Sequence, residues 1–406
     1  MTSPLSPCYS DCDSVSGLLD RENNLTGKPT RRDIFSQMVQ TFRPFSRSRQ
    51  YRTLGSCPNL AQLTSKTLVL KDCASLRDKM LNINTPYGRV KIFKTGNPQG
   101  PSLVTLHDLG LNGFSNFCNF WGSPACAGIL AKFCVLNLTL PGQESGATSL
   151  PAHYSYPGPE ECVCLVEVVL DQLQVNHCVL MGVGLGGYLA LSLAVKCPAL
   201  VDGLVLVNTS SSSSGWLEWA YSKVNIVSMR RTNSLPDSVL EFLLWHHLGN
   251  TSKERGGKED CLVPLYRQYF ASEVNPANLS LLLQSYASRR DISLHRKTVK
   301  MPVLNLVGDR CPHLDATISF NMKTDPAKTT WMKITNAGMV LEEQPDKVAE
   351  ALGLFLQGLG HNVKIGRSRS APTRPSRLDI KGNTAPPPPH ILRSFLLIID
   401  KNILLQ

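Results

Sequence analysis

The chain predicts an α/β protein: a mostly parallel, eight-stranded sheet with helices on both faces and a helical lid inserted before its seventh strand. Three observations carry this. Short apolar runs alternate with amphipathic ones through residues 100–208, the pattern of a parallel sheet covered on both faces. About ninety residues after Asn208 then read as helix with no strand between, as an inserted lid would. Midway through the alternating region, "HCVLMGVGLGGYLALSLA" runs a buried strand through a glycine turn into a helix.

The elements follow in order. "MLNINTP" and "GRVKIFKT" alternate apolar and polar residues and join through Tyr87 and Gly88, a β-hairpin signal. "SLVTLHD" is a short buried strand. "NFCNFWGSPACAGILAK" is helical but broken by Gly and Pro, and "FCVLNLTL" is the next strand. "PEECVCLVEVVLDQLQV" opens on proline, with acids in its first turn and a wide apolar face, all helix signals. "HCVLMGV" precedes the glycine turn, "GGYLALSLAVKCP" follows it and stops before Pro198, and "VDGLVLVN" is the sixth strand. The lid contains "LPDSVLEFLLWHHLG" and "CLVPLYRQYFASEVNPANLSLLLQSYASRRD". "MPVLNLVGD" and "TTWMKIT" complete the sheet, and "QPDKVAEALGLFLQGLG" closes it as an amphipathic helix. The core therefore spans 80–208 and 301–360, with 209–300 as a cap insertion.

The ends differ in composition. Of the formal net charge of +11, residues 1–64 carry +3 and residues 361–406 carry +6, so the middle holds about +2. Residues 1–64 are rich in Ser, Pro and Arg, with one short helical run at "RDIFSQMVQTF", and are expected to be disordered. Residues 361–406 contain "RSRSAPTRPSR" and "APPPP" and are expected to be a basic, proline-rich tail. Basic tails suit an anionic membrane surface, acidic partners or docking kinases. Nucleic acid ranks last as a partner, because few aromatic residues interleave the basic ones.

The N-terminus has no basic start followed by an apolar run, so a secretory signal is not expected. No stretch is long and uncharged enough for a transmembrane helix. "ILRSFLLIIDKNILLQ" is interrupted by Arg393, Asp400 and Lys401 and reads at most as a helix lying on a membrane or a partner. Thirteen cysteines without paired CxxC modules read as buried thiols in a reducing compartment, and no metal or cofactor is expected. Several Asn-x-Ser/Thr triplets, for example at Asn137, Asn208 and Asn278, are then chance matches without glycosylation.

The glycine turn raises the chemical question. A nucleophile elbow needs small residues two before and two after the nucleophile, because the turn is so sharp. Gly182 and Gly186 meet that demand, but Gly184 stands where Ser, Cys or Asp would attack. "GVGLGG" also matches a dinucleotide loop, yet it follows at least four strands, and Asp202 heads the next strand rather than ending it. The acid of such a hydrolase is expected after the seventh strand, where counting from Gly308 reaches Cys311, with Asp309 displaced. The base is expected after the eighth, where "NAGMV" offers only Gly338 and Met339, and His361 lies beyond the last helix. A triad acts as a unit, so a hydrolase of this kind is not expected. His107 and Asp108, in "TLHDLG" at the C-terminal end of a parallel strand, remain as pocket candidates with Leu185, Asp309 and Cys311. They leave open an unorthodox hydrolase or lyase working under the lid.

Over roughly residues 80–360 the chain resembles the N-myc downstream-regulated (NDRG) proteins. The stretches that carry it are "LHDLGLN", "GVGLGGY", "GLVLVN" before "GWLEWA", "SRRD", "VGDRCPH", "DPAKTTWMKI" and "FLQGLG". The resemblance implies an α/β-hydrolase fold with a helical lid and without accepted hydrolytic activity. It implies cytoplasmic, partly membrane-associated proteins that act through other proteins in differentiation, growth control, stress response and vesicle traffic. It implies tails phosphorylated by basic-directed Ser/Thr kinases. The long N-terminal extension and the short, apolar-ended tail depart from that pattern. Candidate phosphosites are Ser368, Ser370 and Thr373 in the tail and Ser234 in "MRRTNSLP" of the lid.

Overall fold

A computed structural model describes residues 80–213, 225–230, 234–249, 262–295 and 298–364. The sheet has eight strands in the order β1-β2-β4-β3-β5-β6-β7-β8. These are β1 (Met80–Thr85), β2 (Gly88–Gly96), β3 (Ser102–Leu106), β4 (Cys134–Thr139), β5 (Cys178–Val183), β6 (Val201–Val207), β7 (Val303–Gly308) and β8 (Thr329–Ile334). β1 and β2 pair antiparallel, β2 meets β4 antiparallel, and every later pairing is parallel. The hairpin turns through Pro86 and Tyr87, one residue earlier than the sequence reading, because Gly88 pairs with Thr85 and already belongs to β2. Gly88 adopts φ +118°, which relieves the turn without a Cβ penalty.

The helices are α1 (Cys118–Gly122), α2 (Ala127–Lys132), α3 (Pro159–Gln172), α4 (Leu185–Lys196), α5 (Asp237–Leu248), α6 (Leu262–Glu273), α7 (Pro276–Ala287), α8 (Leu314–Lys323), α9 (Val340–Glu343) and α10 (Pro345–Gly358). Pro124–Cys126 form a 3₁₀ turn between α1 and α2, where Gly and Pro break the helical run. Alternation along the strands sorts side chains into two cores. Val104, Leu106, Leu136, Leu138, Leu180 and Leu204 face one side, with α3, α4 and the lid helices. Leu103, Val135, Val179, Met181, Val205 and Leu304 face the other, with α1, α2 and α10. Each such side chain, fully buried, contributes about 1.5–3 kcal/mol of transfer free energy.

Parallel strands place their C-terminal ends on one edge, and the lid covers that edge. α5 is buried nearly all round, Glu241, His246 and His247 included. Glu241 is balanced there by an ion pair with Arg267 of α6. α5 and α6 rest directly on the loop after β3: a Cβ on Gly110 would stand 3.2 Å from Leu243 and 3.3 Å from Phe270. From α6, the Tyr269 hydroxyl meets Ser115 at 2.9 Å and the Asn112 amide at 3.1 Å. Asn137, Asn208 and Asn278, the glycosylation-type asparagines among the described residues, turn out to be internal braces. Asn137 accepts from Thr105 and Trp121, Asn208 spans the Gly308 amide and the Gly338 carbonyl, and Asn278 holds the 142–150 segment.

Candidate functional site

The elbow is built as a nucleophile turn. Gly184 sits at φ 50°, ψ −111° between β5 and α4, a conformation that side chains other than glycine adopt only under strain. The turn is as tight as the motif demands. A Cβ on Gly182 would lie 2.3 Å from the Gly186 carbonyl oxygen, and one on Gly186 would lie 2.1 Å from that of Leu106.

At the centre of the turn stands a carboxylate from the loop after β3. A Cβ on Gly184 would fall 2.1 Å from Asp108 Oδ2 and 2.3 Å from Oδ1. Asp108 therefore fills the space a nucleophilic side chain would take. Its Oδ1 accepts from the amides of Leu109 at 2.8 Å and Leu185 at 2.9 Å. In an α/β-hydrolase these two positions, after the nucleophile and after β3, supply the oxyanion hole. Here both donors are consumed by the chain's own anion, at the N-terminus of α4, where the helix dipole favours negative charge. Oδ2 meets His246 Nε2 at 2.9 Å and lies 3.7 Å from His247 Nδ1. Burial opposes ionisation of Asp108, but His246 by charge and hydrogen bond, with His247 and the Leu185 amide, outweighs it. The carboxyl is held well below the usual range.

The neighbouring histidines are fixed by their partners. His247 Nε2 donates to the Leu109 carbonyl at 2.8 Å, which leaves Nδ1 as the nitrogen facing Asp108. Burial lowers the His247 pKa to about 4 against the pull of Asp108. His246 Nδ1 meets His313 Nε2 at 3.2 Å, completing a chain from His313 through His246 to Asp108. His107 points elsewhere. Its Nδ1 donates to the Asp108 carbonyl at 2.9 Å, and its Nε2 accepts from the Leu140 amide at 3.1 Å. Both ring nitrogens are spent on backbone, and burial drops its pKa to about 4.

The structure thus brings Asp108, Leu185 and Gly184 together. Cys311 is buried near them, its thiol pushed to about 12 by burial, with its sulfur accepting from the His313 amide at 3.4 Å. Asp309 is not part of the cluster: its carboxylate accepts from the amides of Asn336 and Ala337 and braces the loop after β8. At the expected base position, the Gly338 and Met339 amides close onto Glu343. His361 meets Phe133 edge to face, just before β4 begins, at the other end of the strands. Asp202 pairs on the surface with His177 at 3.3 Å, far from a ribose-binding role. A cleft of about 430 Å³ lies away from the elbow, between Tyr154, Tyr156, Arg230, Gln284 and Ser285. Ser234 is exposed ahead of α5, while Ser368, Ser370 and Thr373 lie outside the described residues.

Sequence reasoning missed His246, His247 and His313. It looked for triad members only at strand ends, and these come from the lid and from the turn before α8. The signal available was an adjacent His-His pair near the end of a mostly apolar helix.

Fold and site define a class: an α/β-hydrolase-fold protein whose elbow carries glycine at the nucleophile position and is closed by a carboxylate of its own chain. Within that class the chain belongs to the Ndr family, whose model matches residues 80–362. Protein NDRG4-B of Xenopus laevis is 35% identical over 307 residues, covering 73% of this chain and 81% of that protein. Protein NDRG3 of Xenopus laevis is 36% identical over 306 residues, with 72% and 79% covered. Among solved structures, a thermophilic esterase from Thermogutta terrifontis superposes with a TM-score of 0.57 at 18% identity, covering 70% of this chain and 99% of that one. A hydrolase from Pseudomonas aeruginosa gives 0.56 at 17%, covering 69% and 99%. At such identities the likeness is one of fold. Among the described residues no helix is long and apolar enough to cross a membrane.

Proposed function

We propose that this chain is a non-enzymatic scaffold or adaptor of the NDRG type. It works in cytoplasmic signalling, in differentiation, growth control, stress response or vesicle traffic. The observation that carries the non-enzymatic reading is the Asp108 carboxylate, which occupies the nucleophile's space and both oxyanion donors. Losing the oxyanion hole alone removes several powers of ten from acyl transfer, and here the attacking atom is missing as well. Partners are other proteins and, through the basic ends, anionic lipid. Basic-directed kinases acting at Ser368, Ser370, Thr373 or Ser234 would add about 1.5–2 negative charges per site and weaken such attachment.

A fluorophosphonate probe, with a panel of ester, thioester and epoxide substrates, tests the reading. The expected result is no labelling and no turnover. Turnover abolished by Asp108→Asn or His107→Ala would overturn it in favour of a hydrolase or lyase under the lid. That alternative is the weaker one, because both nitrogens of His107 already serve backbone groups.

A further inference from the structure

Closure of the elbow gathers one carboxylate and two imidazoles in a dry place. Asp108, His246 and His247 are 3%, 4% and 5% exposed. One ligand atom from each lies within 4.8 Å of the others. We propose that Asp108, His246 and His247 form a buried site for a divalent transition-metal ion of the zinc class, stapling lid helix α5 to the elbow. The inference rests on the preceding reading, in which Asp108 belongs permanently to the elbow.

Three features argue for it. The first is spacing. Oxygen and nitrogen ligands about 2.0–2.1 Å from a tetrahedral ion stand about 3.3 Å apart. Oδ2 is 2.9 Å from His246 Nε2 and 3.7 Å from His247 Nδ1, which brackets that value. Adjacent helical residues diverge by about 100°, and using Nε2 of one and Nδ1 of the next lets both rings meet a single point. The second is orientation. A metal-bound imidazole hands its other nitrogen to a hydrogen-bond partner. His247 Nε2 donates to the Leu109 carbonyl, and His246 Nδ1 meets His313. Asp108 keeps Oδ1 on two amides, which leaves Oδ2 for the ion. The third is ligand type. Two imidazoles with one carboxylate suit zinc, cobalt or iron(II), whereas magnesium and calcium take all-oxygen shells. The ion would replace the proton between His246 and Asp108 and join two groups 138 residues apart in the chain.

The test uses the full chain, stripped with chelator, its accessible thiols capped with iodoacetamide, then loaded with one equivalent of Zn2+. X-ray absorption at the zinc edge should show a nitrogen and oxygen shell at about 2.0–2.1 Å with imidazole scattering and no sulfur at about 2.3 Å. Titration against a chromophoric chelator should show His247→Gln weakening zinc by at least tenfold, with Mg2+ inert. A sulfur-dominated shell in the wild-type chain overturns the proposal, as does unchanged affinity in a folded His247→Gln variant. If that variant fails to fold, the wild-type shell decides. No zinc site with a silent substrate panel removes this proposal and leaves the scaffold reading standing. Turnover in the panel removes the scaffold reading whatever zinc does.

Discussion

Residue 184 has φ 50° and a carboxylate where its side chain would go, so restoring a serine there does not restore a hydrolase. Gly184→Ser should destabilise the fold by about 2–5 kcal/mol in urea titration, from left-handed strain and overpacking against Asp108. Pairing it with Asp108→Ala should recover part of that loss, giving a coupling of about 1–3 kcal/mol in a double-mutant cycle. Additive effects would mean that the two groups do not share one space. His107 makes a pH prediction at the same scale. Its folded pKa of about 4 lies below the unfolded value of about 6.5, so the unfolded chain binds more protons between these limits. Stability is therefore full above pH 6.5 and falls as pH drops toward 4, with a share from His107 on the order of 3 kcal/mol. His107→Gln, measured by denaturation across pH 4–7, should flatten that slope by about one proton.

Among the elements, the lid is held to the core by side-chain hydrogen bonds as well as apolar packing. Asn278, early in α7, donates to the Gly142 and Thr148 carbonyls at 2.9 and 3.0 Å and accepts from the Leu150 amide at 2.8 Å. Its removal strands three polar groups, two of them carbonyls. Asn278→Ala should cost about 2–4 kcal/mol, and hydrogen exchange should quicken first across residues 142–150. Exchange that quickens uniformly would place the effect in the global unfolding equilibrium. The β-hairpin shows how finely local signals place an element. Both strands are plain from alternation, but the turn sits one residue from where Tyr87-Gly88 chemistry puts it, because cross-strand pairing sets the register.

For the whole molecule, the described cysteines are free thiols. Burial raises the thiols of Cys126, Cys162, Cys178 and Cys311 to about 12. Iodoacetamide at pH 8 should spare these four in the folded chain and modify half-buried Cys164, read by mass spectrometry of peptides. Equal labelling of all would show that the core opens on the labelling timescale. The charge asymmetry belongs to this scale too. Residues 361–406 carry +6 of the formal +11, so a chain ending at residue 364 should lose salt-sensitive binding to anionic vesicles while keeping its melting temperature.

The sequence by itself determined the element order, the inserted lid, the glycine elbow and the lack of an attacking atom at 184. Each of these is written in local periodicity or in a short motif. It also named Asp108, Leu185 and Cys311, because strand ends are where α/β sheets gather their functional groups. Only the tertiary structure decided that Asp108 turns into the elbow while Asp309 braces a loop, and that His246 and His247 reach it from α5. Those contacts join residues more than seventy positions apart, and no local pattern records which face of a lid helix will settle on which loop. Packing of α5 and α6 over Gly110 settles it, since it turns two lid histidines and one carboxylate toward the same buried point.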